Sequence, residues 1–237
     1  MFGSHVGHSL RALRRAPTTV GLSIVTIALG VAATTLLFGV VKAVLLNPLP
    51  YAAQDRLAWL AATVGGAEGR TSMPDFDDWE RRNRSFAAMA LYSDAPLIAG
   101  GGETPQLVSG TMGSESFFDV LGVQPALGRR FVPEEHRAGA MLASVILSHG
   151  LWQRAFGGDA GIVGRRITLL GRPSTVIGVM PEGFAFPAGS DLWISARALP
   201  DGNARTAHNY FVIGRLHPEV AIEAADAEIR AVVRGLT

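Results

Sequence analysis

Metal binding and proton transfer need histidines or carboxylates that can converge on one point. The six histidines of this chain, at positions 5, 8, 136, 149, 208 and 217, are scattered. Only His5 and His8 are close, and they lie in the amino-terminal segment, so a zinc site is not expected there. Asp75, Asp77, Asp78 and Glu80 crowd the first turns of an expected helix. Carboxylates at that end meet the positive pole of the macrodipole, and the cluster lacks the glycine and terminal glutamate of a calcium loop. Ser148 and His149 are neighbours beside an apolar run, where adjacent side chains of a strand point apart, which argues against a nucleophile and its base. Asn83-Arg84-Ser85 has glycosylation spacing but falls in a segment read as helix.

Several chemistries are excluded by composition. There is no cysteine, so disulfides, thiolate metal sites and cysteine nucleophiles are absent together. The single lysine, Lys42, follows Val41, so no phosphate-binding G-x-x-x-x-G-K-[ST] loop occurs, and neither G-x-S-x-G nor H-E-x-x-H is present. The expectation is a protein that is not an enzyme, with no catalytic, cofactor-binding or metal residue and no cofactor. A hydrolase with an unfamiliar site is the remaining catalytic alternative.

The strongest physical signal lies between Arg15 and Lys42, where 26 residues, APTTVGLSIVTIALGVAATTLLFGVV, carry no charge. As helix they extend about 39 Å, against roughly 30 Å of hydrocarbon core. A transmembrane helix is expected over residues 18–46. The run is longer than the apolar part of a signal peptide and ends in Asn47-Pro48-Leu49-Pro50, so a retained anchor is expected. Arg11, Arg14 and Arg15 precede it against Lys42 alone beyond it, which orients the amino terminus to the cytoplasm. Residues 1–17 form an expected amphipathic segment on the inner leaflet. Thr26, Gly30, Ala33 and Thr34 share one helical face, and Ala28 with Ala32 has small-xxx-small spacing, as in faces that pack helices in lipid.

The net charge of +1 divides unevenly. Residues 1–50 hold four basic side chains and no acid, leaving 17 basic and 20 acidic residues beyond. That remainder is not basic, so no nucleic-acid partner is expected. The implied place is the bacterial inner membrane, with the lipid bilayer as partner and the bulk of the chain periplasmic.

Residues 51–237 alternate short elements. Strand-like Arg56–Thr63 precedes an expected helix over Met73–Tyr92. Runs at 96–100 and 106–110 about Gly101-Gly102-Glu103-Thr104 read as a hairpin. Ser114–Leu121 reads as a helix with Ser114 as cap and Gly122 as stop, and Leu127–Met141 as a polar loop. A strand at 143–147 and a helix at 150–156 follow. A hairpin of 166–170 and 174–179 turns at Gly171-Arg172-Pro173, strands are expected at 191–195 and 210–216, and a helix at 220–233 closes the chain. The predicted fold class is α+β: a single N-terminal transmembrane helix followed by a two-lobed mixed-sheet extracytoplasmic domain.

The wording of the sequence adds a resemblance. LRRAPTTVGLSIVTIALGVAATTLLFGVVKAVLLNPLPY, its exit Val44 to Tyr51 above all, resembles the first spanning helix of MacB-type, FtsX-like ABC transporter permeases of the orphan group. Ser72-Met73-Pro74-Asp75-Phe76-Asp77-Asp78-Trp79, Phe117-Phe118-Asp119-Val120-Leu121-Gly122-Val123 and Leu147-Ser148-His149-Gly150-Leu151-Trp152 are similar to the periplasmic core domain of that family. Gly178-Val179-Met180-Pro181, Asp191-Leu192-Trp193 and Val212-Ile213-Gly214-Arg215-Leu216 continue the similarity. It implies a permease subunit acting in efflux or mechanotransmission, with a separate ABC ATPase subunit and a second permease copy as partners. Such permeases continue into an FtsX-like unit of three more spanning helices, which this sequence lacks, so a fragment or truncated product is expected. The alternative is a free-standing membrane-anchored periplasmic binding or scaffold module.

Overall fold

A computed structural model describes residues 17–41, 53–64, 67–100, 105–137, 140, 142–197 and 204–235. The chain divides into two units, Met1–Leu49 and Pro50–Thr237. In the first, Pro17 opens helix α1, Pro17–Val41, which has no charged residue in its first or last turn. A proline suits that position because the first helical N–H has no partner to lose. Leu22, Ile24, Val25, Ile27, Leu29 and Val31 point around every face of α1 and all are exposed, so no apolar stripe is set apart from a polar one.

Among the described residues no helix is long and apolar enough to cross a membrane. The expected span over 18–46 is therefore not supported on these residues. Residues 42–46, the amphipathic segment 1–16, the arginines 11, 14 and 15, and His5 and His8 lie outside the described ones.

The second unit is a mixed α+β domain. Its strands are β1 (Leu57–Leu60), β2 (Ala62–Val64), β3 (Ala67–Gly69), β4 (Phe86–Gly100), β5 (Gln106–Gly113), β6 (Leu127–Gly128), β7 (Ser144–Leu147), β8 (Arg166–Leu169), β9 (Arg172–Val179), β10 (Leu192–Ser195) and β11 (Phe211–Leu216). The helices are α2 (Met73–Arg82), α3 (Phe117–Leu121), α4 (His149–Phe156) and α5 (Ile222–Arg234). Nine strands join in one sheet of order β1-β11-β4-β5-β10-β7-β9-β6, with β8 pairing both β9 and β4; β2 and β3 form a separate hairpin.

That double pairing closes a ring. β8 meets β9 through Ile167↔Ser174 and meets the far end of β4 through Ala99↔Leu169, so β4, β5, β10, β7, β9 and β8 form a hydrogen-bonded circuit. Leu97, Val108, Val145, Leu147, Leu169 and Val176 belong to the buried cluster of this barrel, together with Leu151 of α4 and Ile162. Space inside is short at Gly110, where a Cβ would stand 2.6 Å from the Ala95 carbonyl oxygen and 2.8 Å from Leu97 Cδ1. β1 and β11, with the first half of β4, form an open wing, while β6 lies at the other edge beside β9. On one face of the wing α3 packs Phe117, Phe118 and Leu121 against Tyr92, Trp193 and Ile213. On the other, Phe76 and Trp79 of α2 and Ala225 of α5 cover Met89, Leu91 and Val212.

The expected two lobes are thus one continuous sheet, and several local readings change with it. Helix α2 stops at Arg82 rather than reaching Tyr92. Asn83 ends it: its side-chain amide nitrogen donates to the carbonyls of Trp79 and Glu80, and its Oδ1 accepts from the Phe86 N–H. Those bonds commit the Asn83 amide to capping, leaving the glycosylation spacing without a free acceptor nitrogen. Ser114 does not cap α3; its Oγ accepts from the Leu91 N–H. The 127–141 segment holds β6 and a 3-10 turn, Pro133–His136, rather than only loop.

The β8–β9 hairpin turns on two residues, because Leu169 pairs with Arg172 and not across Gly171-Arg172-Pro173. Leu170 and Gly171 both have positive φ, 49° and 76°, the backbone of a turn that favours Asn-Gly. A left-handed conformation costs an L-residue such as leucine about 1–2 kcal/mol, less for asparagine. Leu170→Asn is therefore expected to stabilise the chain by about 1 kcal/mol, raising the melting temperature by a few degrees in calorimetry; an unchanged or lower value contradicts the strain.

Candidate functional site

Polar residues converge where the 3-10 turn, the end of β10 and α2 approach one another. The turn is fixed first by Glu135, whose carboxylate accepts two bonds from Arg129, at 2.8 and 3.0 Å, one from the Val132 N–H, and one from the Ser144 hydroxyl. Those bonds hold the Glu135 carboxyl below its ordinary range against the opposing effect of burial. So anchored, the turn delivers His136 into the interior. Its Nδ1 lies 2.8 Å from Ser195 Oγ, and the two side chains are 5% and 6% exposed. The ring stands edge-on to Phe131 at 5.5 Å.

A serine within hydrogen-bond distance of a histidine is the first requirement of nucleophilic catalysis, but the others fail. Nε2 is buried with no partner among the described residues, so no carboxylate orients the ring. Among the described residues both side chains are covered. The pair is internal structure. Burial pushes the His136 imidazole below its ordinary range, Glu115 and Glu135 pull it back up, and Arg197 adds to the lowering.

The acidic cluster does more than face a helix dipole. Asp75 takes the expected place in the first turn of α2, where Ser72 Oγ accepts from its N–H. Its carboxylate and that of Asp78 also accept from Arg205, and Asp78 accepts from Arg81 at 2.7 Å. Asp77 accepts from Arg197 at 2.6 Å, and Glu80 lies 4.0 Å from the same guanidinium. The bonds from Arg205 and Arg81 hold the Asp78 carboxyl low. Burial raises Glu80, with Asp77 and Glu115 adding to the rise and Arg197 opposing it. Two arginines from the β10–β11 connection therefore clamp α2. Among the described residues no group of three or more carboxylates or histidines is placed to hold a metal ion.

Other expected residues separate. Ser148 caps α4 by accepting from the Leu151 N–H, and His149 stands edge-on to Trp152, so they form no dyad. His208 and His217 are exposed. On α1, Thr26, Gly30, Ala33 and Thr34 lie on one face, as their spacing requires. The Thr26 and Thr34 hydroxyls donate to the carbonyls of Leu22 and Gly30 in their own helix, and a Cβ on Gly30 would meet nothing within 4 Å. Reading the sequence missed His136, Ser195, Arg197 and Arg205. Their partners lie 59 to 130 positions away, and no local spacing announces such pairs.

His136 gives a test with a definite sign. Its folded pKa lies below the unfolded value of about 6.5, so the unfolded chain takes up the proton first as pH falls. The stability it supports is present above about 6.5 and is lost as pH drops towards the depressed folded value. Melting of the full chain should therefore weaken between about pH 7 and 5, and His136→Asn should flatten that slope. An equal slope in the variant contradicts the assignment.

Comparison with known proteins adds family and fold. The family described as MacB-like periplasmic core domain matches residues 20–232. Among solved structures, the periplasmic region of MacB from Actinobacillus actinomycetemcomitans aligns with a TM-score of 0.60 at 13% identity, covering 76% of this chain and 83% of that one. The extracellular domain of the noncanonic ABC-type transporter YknZ from Gram-positive bacteria aligns at 0.57 and 16% identity, covering 76% and 92%. No curated protein matches.

Proposed function

We propose, since the chain belongs to the family of MacB-like periplasmic core domains, that it is the extracytoplasmic part of an ABC transporter permease subunit with its membrane anchor attached. One observation carries this reading. β1, the first strand of the domain, pairs antiparallel with β11, the last, in the register Leu57↔Arg215. The chain thus enters and leaves the sheet at one edge and one end, the geometry of a domain inserted between two membrane attachments.

Helix α1 is the proposed anchor, within a span of 18–46. An uncharged helix of 25 residues that exposes leucine, isoleucine and valine on every face is badly matched to water. Each large apolar side chain left there forgoes about 1.5–3 kcal/mol, whereas hydrocarbon accepts such a surface all round. Arg11, Arg14 and Arg15 then hold the amino terminus in the cytoplasm, and the second unit lies outside, at the inner membrane. The face of Thr26, Gly30, Ala33 and Thr34 is the proposed contact with another spanning helix. The threonine hydroxyls are already satisfied within α1, and Gly30 leaves room for close approach, so packing rather than interhelical hydrogen bonding would hold it.

The domain's part in this scheme is mechanical. Its acidic cluster is spent on arginines, and membership of the family supports a separate ABC ATPase subunit and a second permease copy as the partners. Efflux and mechanotransmission both use such a domain to convert movement of spanning helices into movement outside.

A periplasm-dependent phosphatase reporter fused after Thr237 is expected to be active in membranes. Replacing Arg11, Arg14 and Arg15 together with Gln should cut that activity severalfold by releasing the orientation. A silent reporter on the parent chain overturns the anchor, the orientation and the placement of the domain.

A further inference from the structure

The free edge of the wing carries a recess that the permease reading does not use. Trp59 on β1 is 61% exposed, whereas Trp79 and Trp193 are buried. Its indole lies 5.9 Å from the Phe211 ring, tilted by 50°. The guanidinium carbon of Arg70 sits 4.4 Å over that same ring, in cation–π contact. With Ala61 and Gly69, these three residues enclose a half-open recess of about 220 Å³.

A single exposed apolar side chain is ordinary on a protein surface. This one is part of an arrangement. Phe211 is backed by Tyr92 at 5.3 Å, and Tyr92 by Phe186 at 5.3 Å, so the aromatic floor is held by the domain core. Arg70 is held by the stack while its polar contacts are long. It donates to the Asn209 carbonyl at 3.4 Å and stands 3.7 Å from Asp94 Oδ2, against about 2.7–2.9 Å for a charge-assisted bond. Its planar fork of N–H donors is therefore presented beside an apolar slot without a close carboxylate, and a bidentate anion would replace the distant Asp94 contact.

Size narrows the occupant. The volume of the recess lies below the approximately 300–1,000 Å³ of a site for drug-sized ligands. One ring and one carboxylate fit that space. We propose that the recess binds a small single-ring aromatic carboxylate, its ring against Trp59 and Phe211 and its carboxylate on Arg70. The assignment rests on the edge of the domain alone and stands or falls independently of the permease reading.

Benzoate is the probe, titrated against the full chain in detergent by saturation-transfer NMR and by tryptophan fluorescence. Benzyl alcohol supplies the ring without the charge, and acetate the charge without the ring. Saturable benzoate binding is expected, with benzyl alcohol at least about tenfold weaker, as befits one charge-assisted contact. Arg70→Gln should weaken benzoate by the same factor and leave benzyl alcohol unchanged. Trp59→Ala should abolish both, and because Trp59 is exposed its melting temperature should stay at the parent value. No saturable benzoate signal, equal affinity in Arg70→Gln, or acetate competing as well as benzoate overturns the proposal.

Discussion

One strand holds the extracytoplasmic unit together. β4 runs for 15 residues and pairs with β11 from Phe86 to Tyr92, with β5 from Tyr92 to Ala99, and with β8 at Ala99 and Gly100. Wing and barrel are two differently packed bodies, and each uses a different part of β4 as a wall. A short strand could serve only one of them. The burial along β4 records the change: Met89 to Ser93 are buried without a break, and from Asp94 to Ile98 exposed and buried residues alternate. Helices cover both faces of the sheet in the wing, whereas the barrel has one face inside and one in water.

The same fact explains what could and could not be read from the sequence. FAAMALY lies in the doubly covered part of β4, so it lacks the period-two alternation of a half-buried strand and scans as helix. Hairpins announced by glycine were legible, as were α4 and α5, whose apolar spacing is helical. The α+β class was legible too. The closure of the ring was not, because it depends on Ala99 meeting Leu169 across 70 positions, and two lobes were expected where one sheet bends from wing to barrel. The carboxylates at 75 to 80 were visible as a cluster, but their partners Arg197 and Arg205 come from the far end of the chain. His136 was hidden in a segment whose polar composition reads as loop.

The Arg197 and Arg205 clamp on α2 and the buried His136–Ser195 pair join elements distant in sequence, and the local bonds of Glu135 hold the turn that carries His136. Each ties a helix or turn to the sheet at the end of β10. In the proposed permease, displacement introduced at the β1–β11 edge, where the chain enters and leaves, reaches the barrel through β4. Whether the domain transmits that displacement depends on wing and barrel moving as one body.

Hydrogen exchange of the β4 amides in the full chain tests this most directly, since cooperative units of a fold open together and independent ones do not. The account requires the amides of the wing half, around Met89 to Tyr92, and of the barrel half, around Leu97 to Ala99, to open with one common free energy and one common dependence on denaturant. Two separate opening free energies, with the barrel half exchanging while the wing half stays protected, would contradict it.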